Sequence, residues 1–560
     1  MKGAIMNKFA IGLDFGTLDG RAILVDVKTG DEINTAIYQY PDGVIEERLP
    51  GTNTKLPSDY ALQNPEDYLG VLKYAIPEVL KKSGVSPENI IGIGVDFTSS
   101  TILPIDRQGM PLCMKKKWRD NPHAWVKLWK HHAAEPYANR LRDIALKRQE
   151  KFILRYGGKI SSEWMIPKIW QILEEFPEIY HSADRFIEAG DWLILQLTGE
   201  EKRSSCNAGY KAIWDKKEGY PSSDFFAALH PQLKNIVKEK LSSDIYSTGL
   251  KAGSLTSKMA KLTGLKEGTP VAVGIIDAHA AFPAATVTDP GKMVLIMGTS
   301  TCHMLLSKEQ KLIKGIPGVV EDGILPGYFG YEAGQAAVGD IFNWFTANYI
   351  SADYKKAAEE KGIDVFRFLE EKASQLQPGE SGLLALDWWN GNRSILNNAN
   401  LSGLIIGLTL QTKPEDIYRA LLEATAFGTR VIIDAFVNNG LPIEELYACG
   451  GMPHKNSLLM QIYADVTGRE IKIPSSRQAS ALGAAMFGSL AAGKKHGGYD
   501  SIKEAVFHMA HLEKTTYQPI QKNVEIYNGL FSQFKELHDY FGIRNLQMME
   551  RLKNKSLNIL

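Results

Sequence analysis

Strand-like apolar runs alternate with helical patterns along most of this 560-residue chain, which favours an α/β architecture. Three early runs, at residues 9–15, 21–27 and 90–97, are predicted to be strands of one sheet. The first two are joined by a short turn, so they must be antiparallel neighbours. The third is a nearly continuous apolar run with glycine, as expected for a strand that is covered on both faces.

The same pattern returns later in the chain. After a helical middle at residues 122–265, residues 286–306 again read as strand, Gly-Thr turn and strand. A chain of this length exceeds one comfortable core. We therefore predict domains at residues 1–288 and 289–495, and a helical extension at 496–560 that packs on the body. The apolar positions of that extension recur at helical spacing; they are Leu530, Phe531, Phe534, Leu537, Tyr540 and Phe541.

Composition and charge exclude several classes of partner. The chain is 44% hydrophobic and 23% charged, and Lys+Arg equals Asp+Glu at 64 each, so no net field attracts nucleic acid or an acidic membrane surface. The four cysteines are scattered, which fits a reducing cytosol. No signal-peptide core precedes the first strand, and the small-apolar stretch at 479–493 is shorter than the ~18 apolar residues of a membrane span. We expect a cytoplasmic protein without nucleic-acid or membrane partners.

The first Gly-containing turn, Asp14-Phe-Gly-Thr17, carries candidate chemistry. It matches neither standard phosphate-binding fingerprint. Gly16 would let backbone N–H groups approach an anion, and the Thr17 hydroxyl adds a donor. Asp14 would repel phosphate unless a cation such as Mg2+ lies between them. Alone, however, a Gly-Thr pair in a hairpin is usually only a turn.

Two further turns change that interpretation. Gly298-Thr299-Ser300 repeats the donors without the acid, and Gly450-Gly451 ends another strand-like run. Three glycine turns distributed over two halves suggest one anionic ligand held in a cleft between two domains.

These three turns resemble the two phosphate motifs and the adenosine motif of the actin, hexokinase and heat-shock ATPase fold, which is ribonuclease H-like. The stretch Gly403-Leu-Ile-Ile-Gly-Leu408, followed by Asp416-Ile417 and Ala420-Leu-Leu-Glu423, resembles the C-terminal signature of the FGGY carbohydrate kinases. Other segments resemble the L-ribulokinases of that family; they are Gly94-Val-Asp-Phe-Thr98, Lys127-Leu-Trp-Lys130, Ile160-Ser-Ser-Glu-Trp164, Ala208-Gly-Tyr-Lys-Ala-Ile-Trp214, Met297-Gly-Thr-Ser-Thr-Cys302, Tyr331-Glu-Ala-Gly-Gln335 and Leu386-Asp-Trp-Trp-Asn-Gly-Asn-Arg393. The resemblance implies an N-terminal sugar-binding domain and a C-terminal nucleotide-binding domain with a cleft between them.

The resemblance also implies a catalytic base. Gly274-Ile-Ile-Asp277 matches the segment in which FGGY kinases carry an aspartate that takes the proton of the sugar hydroxyl. From the residues alone, Asp277 could equally be the N-cap of a helix, because Ala-His-Ala-Ala follows it. His279 is interpreted as structural.

Further site residues are carried over from the resemblance. Trp129, Lys211 and Glu332 are implied sugar contacts. From the residues alone, they would be a core tryptophan, a surface lysine and an acid that caps a helix at 335–349. The implied nucleotide contacts are Gly16, Thr17, Gly298, Thr299, Ser300, Gly450, Gly451 and Asn456, with Asp14 facing Mg2+.

The activity that the resemblance implies is ATP- and Mg2+-dependent phosphorylation of L-ribulose at O5. The product would be L-ribulose 5-phosphate, a step of L-arabinose catabolism. One alternative is another FGGY kinase that acts on xylulose or a polyol. A second alternative, from a different class, is a chaperone or filament ATPase of the same fold. The oligomeric state stays open, with a homodimer among the options.

Overall fold

The computed structural model describes residues 7–553, so the outermost residues of the first predicted domain and of the predicted extension lie outside the described residues. Within this range, no helix combines the length and the apolar character that crossing a bilayer requires.

The N-terminal half contains thirteen strands and eleven α-helices among the described residues. The strands are β1 (Phe9–Phe15), β2 (Asp19–Asp26), β3 (Glu32–Gln39), β4 (Leu62–Gln63), β5 (Ile90–Phe97), β6 (Ile102–Ile105), β7 (Val126–Lys127), β8 (Arg185–Glu188), β9 (Arg203–Ser204), β10 (Ile245–Tyr246), β11 (Lys251–Ser254), β12 (Pro270–Ala272) and β13 (Ile275–Ile276). The helices are α1 (Pro65–Gly70), α2 (Ile76–Ser83), α3 (Glu135–Lys147), α4 (Met165–Glu175), α5 (Pro177–Ser182), α6 (Ala189–Thr198), α7 (Ser205–Lys211), α8 (Ser223–Leu229), α9 (Ile236–Glu239), α10 (Ser257–Thr263) and α11 (Asp277–Ala284).

The C-terminal half, up to residue 553, contains nine strands and nine α-helices. The strands are β14 (Lys292–Met297), β15 (Thr301–Ser307), β16 (Gly318–Glu321), β17 (Phe329–Gln335), β18 (Leu384–Leu386), β19 (Leu404–Ile406), β20 (Glu445–Cys449), β21 (Ile471–Pro474) and β22 (Leu512–Tyr517). The helices are α12 (Gly339–Tyr349), α13 (Ala352–Glu360), α14 (Val365–Ala373), α15 (Pro414–Val437), α16 (Ser457–Thr467), α17 (Ala479–Ala492), α18 (Ile502–Met509), α19 (Gln521–Asp539) and α20 (Leu546–Lys553).

Each half is built on a seven-stranded sheet, and six strands of each sheet follow the same order and directions. The first has the order β11-β12-β5-β1-β2-β3, with β13 also paired to β5, and the second has the order β16-β17-β15-β14-β20-β21-β22. In each sheet an antiparallel hairpin, β1-β2 or β14-β15, lies beside a parallel strand, β5 or β20. The predicted strands at 9–15, 21–27 and 90–97 and the repeated strand-turn-strand pattern are therefore confirmed.

Parallel pairing decides where the turns lie. In the first sheet Asp14 of β1 is the register partner of Asp96 of β5. In the second, Ile296 of β14 is the partner of Cys449 of β20. Since parallel strands end at the same edge of a sheet, the turn after β1 lies beside the end of β5, and residues 298–300 lie beside residues 450–451.

Two helices from late in the sequence pack on the body. The predicted amphipathic helix is present as α19, and its Tyr527 and Phe534 are fully buried and contact the ring of Phe427. Helix α17 packs against β1, β5 and α11 of the N-terminal half. Its approach to the sheet is so close that a Cβ atom on Gly94 would overlap the carbonyl oxygen of Ala484.

Replacing Gly94 with alanine is expected to destabilise the protein by about 2 kcal/mol or more, because backbone atoms of α17 and β5 must move apart to admit a methyl group. Gly529→Ala is the matched control. Gly529 lies in α19 with no atom near the added carbon, so this change should stabilise the protein by about 0.5–1 kcal/mol. Thermal unfolding followed by circular dichroism measures both. An unchanged unfolding temperature for Gly94→Ala would contradict the close packing.

Candidate active site

The first turn brings two predicted site residues together. The Trp129 indole Nε1 donates a hydrogen bond of 3.1 Å to the Thr17 hydroxyl. The Gly16 amide donates a hydrogen bond to the Asp19 carbonyl at 2.9 Å, so this amide stabilises the turn and is not free to bind a ligand. Among residues 7–553, no acceptor pairs with the Thr17 or Leu18 amide. The free donors of this turn therefore come from Thr17 and Leu18, with Gly16 shaping the turn.

Asp14 and Asp277 lie near each other at the ends of their strands. Asp14 is the penultimate residue of β1, and its Oδ2 lies 3.5 Å from Nε of Arg21. Asp277 directly follows β13 and begins α11. Burial and the neighbouring charge of Asp14 raise the pKa of Asp277 to about 7, a value suited to accepting a proton near neutral pH.

A third carboxylate, Asp96, completes this group and was not singled out from the sequence. It lies at the end of β5 beside Asp14 and is fully buried. Burial and the facing Asp14 carboxylate raise the pKa of Asp96 well above its usual range. No N–H or O–H group of the described residues donates to either of its oxygens. Asp96 was quoted within the family segment Gly94-Val-Asp-Phe-Thr98 but was not recognised as a site residue; the local signal was an acid near the end of an apolar strand.

The predicted sugar contacts Lys211 and Glu332 form a buried ion pair that joins the two halves. Lys211 ends α7, Glu332 lies within β17, and Nζ is 3.1 Å from Oε2. Only 4% of Lys211 and 6% of Glu332 are exposed. The alternatives of a surface lysine and of a helix-capping acid are therefore wrong, since α12 begins only at Gly339.

Two more residues converge on Glu332. Nη2 of Arg393 lies 2.8 Å from Oε1, and Nε2 of His279 lies 3.2 Å from Oε2. Burial alone would raise the pKa of Glu332, but Lys211, the close approach of the His279 imidazole and Arg393 hold this pKa well below its usual range. His279 also lies 2.9 Å from Sγ of Cys206, which fits the structural role predicted for it. Arg393 was quoted within a family segment but not recognised as a site residue.

In the C-terminal half the second and third turns lie side by side. The carbonyl oxygens of Gly298 and Thr299 accept hydrogen bonds from residues that lead into α12. The amides of Thr299 and Ser300 have no acceptor within residues 7–553. Gly450 has a φ of 101°, and a Cβ there would overlap the carbonyl oxygen of Met297. Only glycine permits this approach of the two turns.

Asn456 follows the third turn and caps helix α16. Its Oδ1 accepts a hydrogen bond of 2.8 Å from the Leu459 amide, and its Nδ2 donates to the Tyr418 hydroxyl at 3.3 Å. The side chain thus stabilises the start of the helix beside Gly451.

The described residues contain no group of three or more histidine, cysteine or acidic side chains that could hold a metal ion. Mg2+ does not require such a group, because it is often bound by one or two carboxylates together with water and substrate phosphates. The neighbouring carboxylates of Asp14 and Asp96 fit that mode of binding.

Comparison with known proteins agrees with this geometry. Residues 9–282 match the N-terminal domain of the FGGY family of carbohydrate kinases, and residues 293–492 match its C-terminal domain. A protein named ribulokinase from Geobacillus thermodenitrificans is 58% identical over 98% of this chain and 97% of its own length. One of the same name from Anoxybacillus flavithermus is also 58% identical, with the same coverage.

A solved structure gives the fold. The xylulose kinase from Rhodospirillum rubrum superimposes with a TM-score of 0.79 at 21% identity, covering 97% of this chain and all of that one. The predicted two-domain α/β fold of the actin and hexokinase type is confirmed. The chain therefore belongs to the FGGY family of carbohydrate kinases and is an ATP-dependent sugar kinase.

Proposed function

We propose that this kinase transfers the γ-phosphoryl group of ATP to O5 of L-ribulose and forms L-ribulose 5-phosphate in L-arabinose catabolism. The observation that carries this proposal is the 58% identity, over nearly the whole chain, to proteins named ribulokinase. We also propose a cytoplasmic location, which the four free cysteines support.

Asp277 is the proposed base. As O5 attacks the γ-phosphorus, the O5–H proton passes to the Asp277 carboxylate, the new O–P bond forms, and ADP leaves. The raised pKa of Asp277, about 7, favours proton acceptance more than an ordinary aspartate would. The charges of Lys211 and Glu332 also influence the pKa of Asp277, which supports a base that acts near the proposed sugar contacts.

Lys211 and Glu332 are the proposed sugar contacts, with Trp129 at the edge of the pocket. A buried ammonium and carboxylate can donate to and accept from sugar hydroxyls. A substrate that lacks a matching hydroxyl would leave one of them poorly paired, which disfavours its binding. Glu332 is held in place by Arg393 and His279, and it in turn pairs with Lys211, so these two side chains are organised before the sugar arrives.

The triphosphate is proposed to lie against the turns at residues 16–18, 298–300 and 450–451, with Asn456 near the adenosine. Amides of Thr17, Leu18, Thr299 and Ser300 are available to phosphate oxygens. Asp14 is proposed to hold Mg2+, which would offset the negative charge of the phosphates when bound.

A kinase for xylulose or a polyol is the nearest rival. The solved xylulose kinase is similar at only 21% identity, a level at which the fold but not the substrate is informative. A chaperone or filament protein is disfavoured because both FGGY domains match.

A panel of sugars tests the substrate. ADP release is expected to rise on addition of L-ribulose, with kcat/KM at least ~10-fold above that for D-xylulose or glycerol, because buried polar groups discriminate hydroxyl patterns. Phosphorus–proton correlation NMR of the product should show coupling to the C5 protons. ADP release that no pentulose stimulates would overturn the proposal, and coupling to C1 protons would overturn the assignment of O5.

Asp277→Asn tests the base. This isosteric change should lower kcat by about 100- to 10,000-fold, the usual contribution of a general base. ADP affinity, measured by calorimetry, should stay unchanged, because Asp277 is not proposed to contact the nucleotide. Activity within a few-fold of the wild type would remove Asp277 from the mechanism.

Lys211→Met tests sugar recognition. The loss of a charged hydrogen-bond donor should raise KM for L-ribulose by about 10- to 100-fold and leave KM for ATP unchanged. Lys217→Met is the control, since Lys217 lies on the surface with a side chain that is 74% exposed. Equal increases in both KM values would instead indicate general damage to the fold.

A further inference from the structure

Asp96 lies at the most buried point of the carboxylate group described above. It is the penultimate residue of the central strand β5. Asp14 on β1 is its register partner, and β13, which leads into Asp277, pairs with β5 on the other side. Its side chain has no exposed surface. The three carboxyl groups therefore meet at the same edge of the sheet, with Asp96 in the middle.

The polar atoms of Asp96 lack partners of the expected kind. Buried carboxylates in proteins are normally paired with a cation or accept several hydrogen bonds, because burying an unpaired charge is costly. Within residues 7–553, no N–H or O–H group donates to Oδ1 or Oδ2 of Asp96. What faces it is the carboxyl group of Asp14, to which Asp96 can donate a hydrogen bond only when Asp96 is protonated; once both are ionised, neither carboxylate has a proton to donate.

The positive charge near Asp96 does not compensate for the missing hydrogen-bond donors. The cation paired with Asp14 is Arg21, whose Nε lies 3.5 Å from Asp14 Oδ2. The same guanidinium also pairs with Asp19 at 2.8 Å. Asp14 and Asp96 thus share one guanidinium that is also engaged by Asp19. A divalent cation between Asp14 and Asp96 would satisfy the unpaired oxygens and balance the charge.

We infer that Asp96 is a second protein ligand of Mg2+, beside Asp14, at the proposed phosphate site. The inference rests on the proposed nucleotide site, because Mg2+ bound by two carboxylates completes its coordination with water and phosphate oxygens. The other interpretation is that Asp96 is a structural acid that shares a proton with Asp14 and binds no metal. The two interpretations predict different metal affinities.

The test measures the affinity of the full chain, with ADP bound, for Mn2+ as the probe ion. Free Mn2+ is followed by electron paramagnetic resonance, so no turnover is needed. Asp96→Asn should weaken Mn2+ binding by at least ~10-fold, since one of two carboxylate ligands becomes neutral. Asp67→Asn is the matched control: Asp67 is also buried, but it lies in α1 and accepts its hydrogen bond from the Asp42 amide. Its Mn2+ affinity should equal that of the wild type.

Wild-type Mn2+ affinity in a folded Asp96→Asn variant would overturn the inference. Should that variant not fold, crystals of the wild-type ADP complex grown with Mn2+ give a second measurement. An anomalous peak at about 2.2 Å from oxygens of both Asp14 and Asp96 would support the inference. A peak coordinated by Asp14 without Asp96 would overturn it. Neither measurement contains a sugar, so failure of the ribulose proposal would be seen separately in the sugar panel.

Discussion

The site depends on one constraint, the parallel pairing of β1 with β5 and of β14 with β20. In each half, parallel pairing makes the central strands end at one edge, where their amides and side chains meet. The antiparallel hairpin partner then fixes the turn after β1 or β14. A slip of one residue between β1 and β5 would turn Asp96 to the opposite face of the sheet. The register of β1 against β5 therefore determines which side chains form the site.

The charged residues of the site form two groups that differ in the ratio of cations to acids. Around Glu332, the cations Lys211 and Arg393 and the imidazole of His279 pair with one carboxylate. The charge of Glu332 is fully compensated, with cations in excess of acids, and the group is held in place without a ligand. At the ends of β1 and β5, by contrast, acids outnumber cations, and Asp96 has no donor among the described residues. A neutral sugar suits the first group, whereas a metal with its phosphates suits the second.

Much of the fold was visible in the sequence, because nearly continuous apolar runs bounded by glycine turns are typical of buried parallel strands. What was missed depends on contacts between distant segments. Asp96 became part of the site only through pairing of β5 with β1, which no local pattern specifies. Arg393 comes from a loop without periodicity. The small-apolar stretch at residues 479–493 was read only as too short for a membrane span, and the three-dimensional structure showed that it forms α17 and packs on the N-terminal sheet.

In addition to the packing of α17 on the N-terminal sheet, buried polar contacts join the two halves beside the proposed sugar contacts. Besides the Lys211–Glu332 pair, the Tyr210 hydroxyl donates to the Gly330 carbonyl at 2.6 Å. The Ser205 hydroxyl donates to the Asp322 carbonyl at 2.9 Å. Because these groups are buried, moving α7 away from β17 would leave a charge unpaired and carbonyl oxygens without donors. Lys211 and Glu332, the proposed sugar contacts, are thus fixed relative to each other by contacts that also hold the halves together.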